Sequence, residues 1–234
     1  MSADLVELAR LSGDAAIDAW LAVPGEWVEE PNERRGGQSG VKRILTSDGR
    51  QLYRKQQHGH IYRSWMHPFG YPTAMRERDA LLHSHALGVP VPKLLFAACR
   101  KQRGNWQAVL VTEALEGFCS LEQCYLDRQE LLWGEVLHRR VLKEIGRVLG
   151  RLNRGKRQHG CLYLKHVFVR VRGDEVDVAL IDMEKSRKRL TRWRAARHDL
   201  RQMARRSPWD APQWQAFLEG YRESYGIAAP VPLR

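Results

Sequence analysis

Apolar positions along the 234-residue chain change their period in the middle. Leu5, Leu8, Ala9 and Leu11 recur at helical spacing, and residues 14–21 continue as a second helix beyond the Ser12-Gly13 break. Residues 1–33 therefore read as a helical extension, with Trp20 and Trp27 as packing residues. From residue 41 the pattern shortens. Residues 41–46 and 51–56 are strand-like runs around Ser47-Asp48-Gly49, a hairpin signal. Residues 58–71 read as an irregular surface loop whose His58, His60 and His67 have poor spacing for zinc. Residues 72–87 predict a helix capped by Thr73 and stopped by Gly88-Val89-Pro90-Val91-Pro92. Strands are predicted at 93–99 and 106–113. Helical spacing then takes over: one helix at 121–132, a longer one at 134–154 carrying Leu137, Val141, Ile145, Val148 and Leu152, and a last one at 212–225. A basic helix at 190–206 has an expected apolar stripe of Leu190, Trp193, Ala196, Leu200 and Met203. Strands first and helices later make this an α+β chain, an antiparallel sheet followed by a mainly helical part.

Composition narrows the class. Hydrophobic residues make up 43% of the chain, enough for a core and too many for a disordered one. No apolar run nears the ~20 residues of a membrane helix. The N-terminus has no basic, then apolar, leader pattern, so a cytoplasmic location is expected. Cys99, Cys119, Cys124 and Cys161 form no C-x-x-C pair, which predicts reduced thiols and no structural zinc. The net charge of +12 is concentrated: residues 185–206 hold ten Lys/Arg against one acid, Asp199. Such a block attracts nucleic acid, anionic lipid head groups or a phosphorylated saccharide.

The candidate chemistry lies where the patterns meet. Residues 158–170, Q-H-G-C-L-Y-L-K-H-V-F-V-R, are a polar loop feeding a short buried strand, and Ala179-Leu180-Ile181-Asp182 is a second apolar run ending in a carboxylate. A loop, a strand and a strand-terminal acid is the layout of a protein-kinase-like catalytic centre, where the loop handles the acceptor hydroxyl and the later acid holds a metal on ATP. Upstream, R-R-G-G-Q-S-G supplies Gly36, Gly37 and Gly40, whose backbone N–H groups are candidates to cradle phosphates. Lys55 follows on the next hairpin's second strand as the candidate ATP lysine, with Glu77 as its candidate ion-pair partner. The stretch from Glu113 through Leu115 to Gly117 is the candidate hinge, whose backbone would pair with an adenine edge.

Taken in order, these residues resemble the lipopolysaccharide kinases of the Kdo/WaaP type, including their InaA-like branch. The resemblance runs from about Gly36 to Met203. It is carried by S-D-G-R before Lys55, the Arg76-Glu77 pair, T-E-A-L with S-L-E-Q after it, H-G-C-L-Y-L-K-H, I-D-M-E-K and W-R-A-A-R-H-D-L. It implies a two-lobed protein-kinase-like fold, with an N-lobe at 34–115 and a C-lobe at 116–234. It also implies ATP and Mg2+ as cofactors and a sugar of the lipopolysaccharide inner core as acceptor. Lys55 would then hold ATP phosphates and Glu77 would orient Lys55. Asp182 and His166 would be the metal ligands, with His159 and Cys161 in the catalytic loop. Asp199 would be either a buried prop for that loop or a helix salt-bridge partner of Arg197 or Arg201.

The departure is Cys161, where the family usually places Asp. An unperturbed thiol has a pKa near ~8.5 and is mostly protonated at neutral pH, whereas Asp is ionised. A positioned base contributes roughly 10²–10⁴ in rate. Basic neighbours such as Lys165 are the candidates to activate the thiol. Three functions follow: a lipopolysaccharide-core kinase, a pseudokinase that binds nucleotide without efficient turnover, and a nucleic-acid binder using the basic helix. No helix-turn-helix or zinc pattern supports the last. For the first, the basic segment is expected to meet an anionic saccharide or lipopolysaccharide acceptor, with peripheral contact at the inner face of the inner membrane.

Overall fold

The computed structural model describes residues 8, 10–34 and 36–226. It divides into two compact units, Met1–Asp79 with Pro92–Ala114, and Ala80–Val91 with Leu115–Arg234.

In the first unit, helix α1 (Gly13–Ala22) precedes strands β1 (Glu26–Arg34), β2 (Gly37–Leu45) and β3 (Gln51–His58). A small hairpin of β4 (Ile61–Ser64) and β5 (His67–Pro72) leads into helix α2 (Thr73–Ala86), and β6 (Leu94–Gln102) and β7 (Asn105–Glu113) complete the sheet in the antiparallel order β1-β2-β3-β7-β6. One sheet face gives Ile44, Leu52, Val109 and Val111, which pack on Ile17 and Trp20 of α1. The buried Arg54 of β3 donates its guanidinium to the carbonyls of Trp20 and of Val23 (2.7 Å), satisfying acceptors at the end of α1.

Three expectations need correction here. The helical reading of 1–33 fails after Ala22, because Glu26–Arg34 is a strand running from Glu26 opposite Arg43 to Arg34 opposite Gly37. Its two register shifts, its charges and Pro31 mark an edge strand, which carries no clean period of two. Trp27 on this strand packs its ring over Gly40 of β2 while remaining 37% exposed, and the Lys42 ammonium sits 4.6 Å above the ring. The segment 58–71 is a hairpin rather than an irregular loop. Its turn is Trp65-Met66, without the Gly or Asn that marks such turns, and His60 is buried with its Nδ1 2.8 Å from Thr73 Oγ1. The first turn of α2 is capped by Gln57 of β3, whose Oε1 accepts from Ala74 N–H at 2.9 Å; Thr73 bonds to Gln57 and His60 instead.

The second unit is mainly helical. It holds β8 (Cys119–Ser120), α3 (Leu121–Leu126), α4 (Gln129–Arg154), β9 (Arg157–Gln158), β10 (Val167–Arg172), β11 (Glu175–Leu180), β12 (Arg187–Lys188), α5 (Arg192–Arg206) and α6 (Ala211–Tyr225). The helix expected at 121–132 ends early: Arg128 turns left-handed and α4 begins at Gln129, with a second irregularity at Gly134. The expected stripe of α4 is present, with Val141, Ile145, Val148 and Leu152 buried. In α5 the stripe is rotated. Ala195, Ala196, Asp199, Leu200 and Met203 are buried, whereas Leu190 and Trp193 are 81% and 47% exposed. This is the expected α+β architecture, an antiparallel sheet followed by a helical unit. Among the described residues no helix is long and apolar enough to cross a membrane.

The α4 and α6 backbones touch through glycine. A Cβ on Gly220 would sit 1.8 Å from the Lys143 carbonyl oxygen, and one on Gly146 would sit 2.1 Å from that of Phe217. Gly→Ala in a free helix gains about 1 kcal/mol. Here Gly220→Ala is expected to reverse that sign and lower stability by roughly 2 kcal/mol or more, read as a reduced urea midpoint. An unchanged or higher midpoint would show that the two helices have room to part.

Candidate functional site

In the first unit, the tight antiparallel pairing of β3 with β2 and β7 fixes Lys55 opposite Val41 on one side and Leu110 on the other. From there its Nζ lies 2.7 Å from Glu77 Oε2 on α2, with both side chains largely buried. A salt bridge in that setting is held more firmly than a surface pair. The glycine-rich stretch divides. Gly36, at a φ of +74°, lies in the turn between β1 and β2, whereas Gly37 and Gly40 lie on β2 itself. A Cβ on Gly37 would meet the Gly59 and His60 backbone at 2.4 Å, and one on Gly40 the Trp27 ring at 2.7 Å. Close packing of strands therefore accounts for those two. At the end of β7, the Glu113 N–H is bonded to Lys93 O and the Ala114 N–H to Gln51 O, each at 2.9 Å.

In the second unit the loop after α4 is organised by Asp199, which is fully buried on α5. One of its oxygens accepts from His159 N–H at 2.7 Å and from the Asn153 amide at 2.8 Å, and the other from Gly160 N–H at 3.2 Å. His198 Nδ1 lies 3.1 Å from that second oxygen. Asp199 is thus the loop prop rather than an arginine partner. Gln202, one turn further, binds both ends of the next step, accepting from Leu162 N–H at 2.7 Å and donating to Gly160 O at 3.3 Å. Arg206 donates to Leu162 O at 3.1 Å and stacks on Tyr163. Gly160, at a φ of +84°, is pressed against the Lys185 carbonyl, where a Cβ would stand at 2.4 Å. The short β9–β12 pairing, Gln158 opposite Arg187, clamps the same loop to the segment beyond Asp182.

His159, expected among the catalytic residues, is fully buried and both ring nitrogens are engaged. Its Nε2 lies 2.9 Å from Ile181 O, and its Nδ1 accepts from Cys161 N–H at 3.4 Å. Burial pushes its pKa down, with Asp199 opposing that shift. It acts as a neutral strut between the loop and the strand that ends in Asp182.

Cys161, His166 and Asp182 come together. The thiol sulfur, a ring nitrogen and a carboxylate oxygen lie within 4.8 Å of one another. His166 Nδ1 is 2.7 Å from the Cys161 carbonyl, and its Nε2 is 3.3 Å from Asp182 Oδ2. Asp182 adopts a left-handed backbone, φ 56° and ψ 56°, a conformation that turns the chain sharply out of β11. The cation beside the thiol is Lys185, with Nζ 3.8 Å from Sγ, and not the expected Lys165, whose ammonium lies over the Tyr163 ring. As a donor set for magnesium the group fits in part: the Asp182 carboxylate suits a hard ion, while imidazole nitrogen and thiol sulfur do not.

Asn153, Lys185, Gln202 and Arg206 carry weight in this site without having been singled out in the sequence. Gln202 and Arg206 follow Asp199 at intervals of three and seven, one helix face, which is the one signal that pointed to them.

The chain matches the model of the "Lipopolysaccharide kinase (Kdo/WaaP) family" over residues 18–221. It is 38% identical over 184 residues to Protein InaA of Escherichia coli (strain K12), covering 79% of this chain and 84% of that one. Among solved structures, WaaP in complex with acyl carrier protein superposes with a TM-score of 0.67 at 21% identity, over 88% of this chain and 81% of that one. The amicoumacin kinase hAmiN, in complex with AMP-PNP, Ca2+ and Ami, gives 0.56 at 12% identity, over 97% and 81%. The architecture described above is therefore the protein-kinase-like fold.

Asp199→Asn puts an amide where three N–H donors converge. One amide hydrogen then faces a donor, and the charge that strengthened the remaining bonds is gone. The expected cost is about 2–4 kcal/mol of the second unit's stability, measured by denaturant unfolding. A cost below about 0.5 kcal/mol, the range of an ordinary surface change, would show that the loop is held elsewhere.

Proposed function

The chain belongs to the lipopolysaccharide kinase (Kdo/WaaP) family, and on that premise we propose that it uses ATP and a divalent metal to phosphorylate a sugar hydroxyl of the lipopolysaccharide inner core. The observation that carries the reading is the Lys55–Glu77 pair at 2.7 Å, the arrangement a kinase uses to present an ammonium to nucleotide phosphates. In this reading Glu77 holds Lys55, Lys55 takes the phosphates, and the turn at Gly36 approaches them. The Glu113 and Ala114 N–H groups are committed within the fold, so the adenine edge is met by the Glu113 carbonyl and by Leu115. When bound, a divalent cation supplies charge neutralisation on the phosphates, and Asp182 is the carboxylate that would hold it. Because phosphoryl transfer has a loose transition state, positioning carries most of the rate. The loop frame set by Asp199 is the part of this chain that positions.

Cys161 supports a second reading, nucleotide binding with little turnover, because a thiol beside the Lys185 ammonium replaces the carboxylate that would orient an acceptor hydroxyl. One set of measurements separates the two. Calorimetry should show Mg-ATP binding to wild type that weakens at least ~10-fold in Lys55→Ala and Asp182→Ala, each loss being a charge-assisted contact of ~1.5–3 kcal/mol. Phosphate transfer to core saccharide by wild type establishes the kinase. Transfer that emerges only in Cys161→Asp, with a gain within the ~10²–10⁴ of a positioned base, establishes the second reading. No binding of Mg-ATP by wild type ends both.

The acceptor is expected at a membrane face. Arg187, Lys188, Arg194, Arg197 and Arg201 are exposed around the exposed Leu190 and Trp193, and the Arg197 guanidinium stacks on Trp193 at 5.0 Å. An apolar pair ringed by cations suits an anionic head-group layer, at ~1 kcal/mol per basic residue near the surface. Peripheral association with the inner face of the inner membrane is the corresponding location. Cosedimentation with anionic vesicles should fall with salt, and should drop at least ~10-fold in Arg187→Glu/Lys188→Glu/Trp193→Ala, as several lost contacts of ~1 kcal/mol require. Equal binding to neutral vesicles, or no change in the triple variant, would remove this face from the account.

A further inference from the structure

We propose that Cys161, His166 and Asp182 form a three-ligand site for a thiophilic divalent cation of the zinc class, selected by the sulfur that magnesium would refuse. This goes beyond the kinase reading and needs neither nucleotide nor turnover.

Three independent features carry it. The first is the donor set. Thiolate, imidazole and carboxylate together suit borderline-soft ions, and zinc above all, whereas magnesium takes oxygen ligands at near-octahedral geometry. The second is spacing. Zinc bonds of ~2.3 Å to sulfur and ~2.0–2.1 Å to nitrogen or oxygen place tetrahedral ligand atoms roughly 3.3–3.6 Å apart. His166 Nε2 and Asp182 Oδ2 already stand at 3.3 Å, and the Cys161 sulfur, a His166 ring nitrogen and an Asp182 carboxylate oxygen all lie within 4.8 Å of one another. Closing the set takes a side-chain adjustment of roughly 1 Å, the residual between 4.8 Å and a zinc-site edge.

The third feature is the orientation of His166. A carbonyl oxygen only accepts, so the 2.7 Å contact with Cys161 O places a proton on Nδ1. Nε2, the other ring nitrogen, is therefore the one turned towards the Asp182 carboxylate, 3.3 Å from Oδ2. A ligating histidine whose other ring nitrogen is tied to a backbone carbonyl is the usual outer arrangement of a metal site. The carbonyl that does the tying belongs to the residue supplying the sulfur.

Access is one-sided. Cys161 and His166 are buried, while the Asp182 side chain is about a third exposed, 35%, so the fourth position opens towards solvent. Three protein ligands and one open position is the pattern of a reactive rather than a purely structural zinc site. Lys185 is the competing cation at Sγ; its side chain is exposed, so its ammonium is free to swing into solvent as an ion enters. Once the ion is bound, Asp182 is engaged by the protein's own cation and is a poorer partner for magnesium on a nucleotide.

The test uses the full chain, stripped of metal by chelation and titrated with Co2+ alone. The expected result is a one-to-one complex with a thiolate-to-cobalt charge-transfer band and the visible bands of a four-coordinate ion. Zinc should abolish both, and magnesium in large excess should leave them. Cys161→Ser should lose the charge-transfer band, while Cys99→Ser and Cys119→Ser should keep it. Zinc should also raise the Tm of wild type by mass action and leave that of His166→Gln where it was, a comparison that holds even if Cys161→Ser folds poorly. Absence of the charge-transfer band in wild type, its persistence in Cys161→Ser, or an equal zinc-induced Tm shift in wild type and His166→Gln would overturn the proposal. Loss of ATP binding would not bear on it.

Discussion

A buried carboxylate cannot be left without donors, and most of the candidate site follows from how Asp199 meets that requirement. Desolvating the charge costs several kcal/mol unless hydrogen bonds replace the lost water. The replacements are the backbone N–H groups of His159 and Gly160 and the amide of Asn153. Asn153 is itself held by the Tyr221 hydroxyl at 2.9 Å. Once the His159 and Gly160 amides are anchored, the loop has one path. His159 reaches Ile181, the Cys161 carbonyl reaches His166, and Asp182 is delivered beside His166. The first two contacts lie in the buried interior, and the last brings the partly exposed Asp182 to the buried His166.

Much of this was legible where local pattern and burial agree. The stripe on α4 follows from its 3.6-residue period, and its residues are core residues. Lys55 and Glu77, 22 positions apart, were paired on the order of the elements that carry them, and that order is kept. Legibility failed where the chain withholds local signals. β1 is an edge strand with bulges and a proline, and the β4–β5 turn is Trp65-Met66. Helical spacing places Trp193 on the apolar stripe of its helix, but it lies at the surface beneath the Arg197 guanidinium. Gln202 and Arg206 sit in a run of polar helix residues whose inward and outward members look alike until the helix has a neighbour.

That helix shows how one element serves two ends. Its inward face offers Ala195, Ala196, Leu200 and Met203 to the core and Asp199, Gln202 and Arg206 to the loop. Its outward face carries Arg194, Arg197 and Arg201 beside Trp193. The small inward alanines let the helix approach closely enough for short side chains such as Asp to reach the loop backbone. The charge concentrated in this segment is therefore not opposed to burial of an acid within it, because the two signs occupy different faces.

Residue 161 serves the loop frame through its backbone: its N–H meets His159 and its carbonyl meets His166. Its side chain is absent from those bonds. Frame and chemistry are thus separable kinds of inheritance. A lineage can exchange the reactive atom at this position and leave the loop, the strut and the prop untouched. Two proteins that superpose through every element of the site can then differ in what the site does, and the difference resides in one side chain that leaves no trace in the path of the chain.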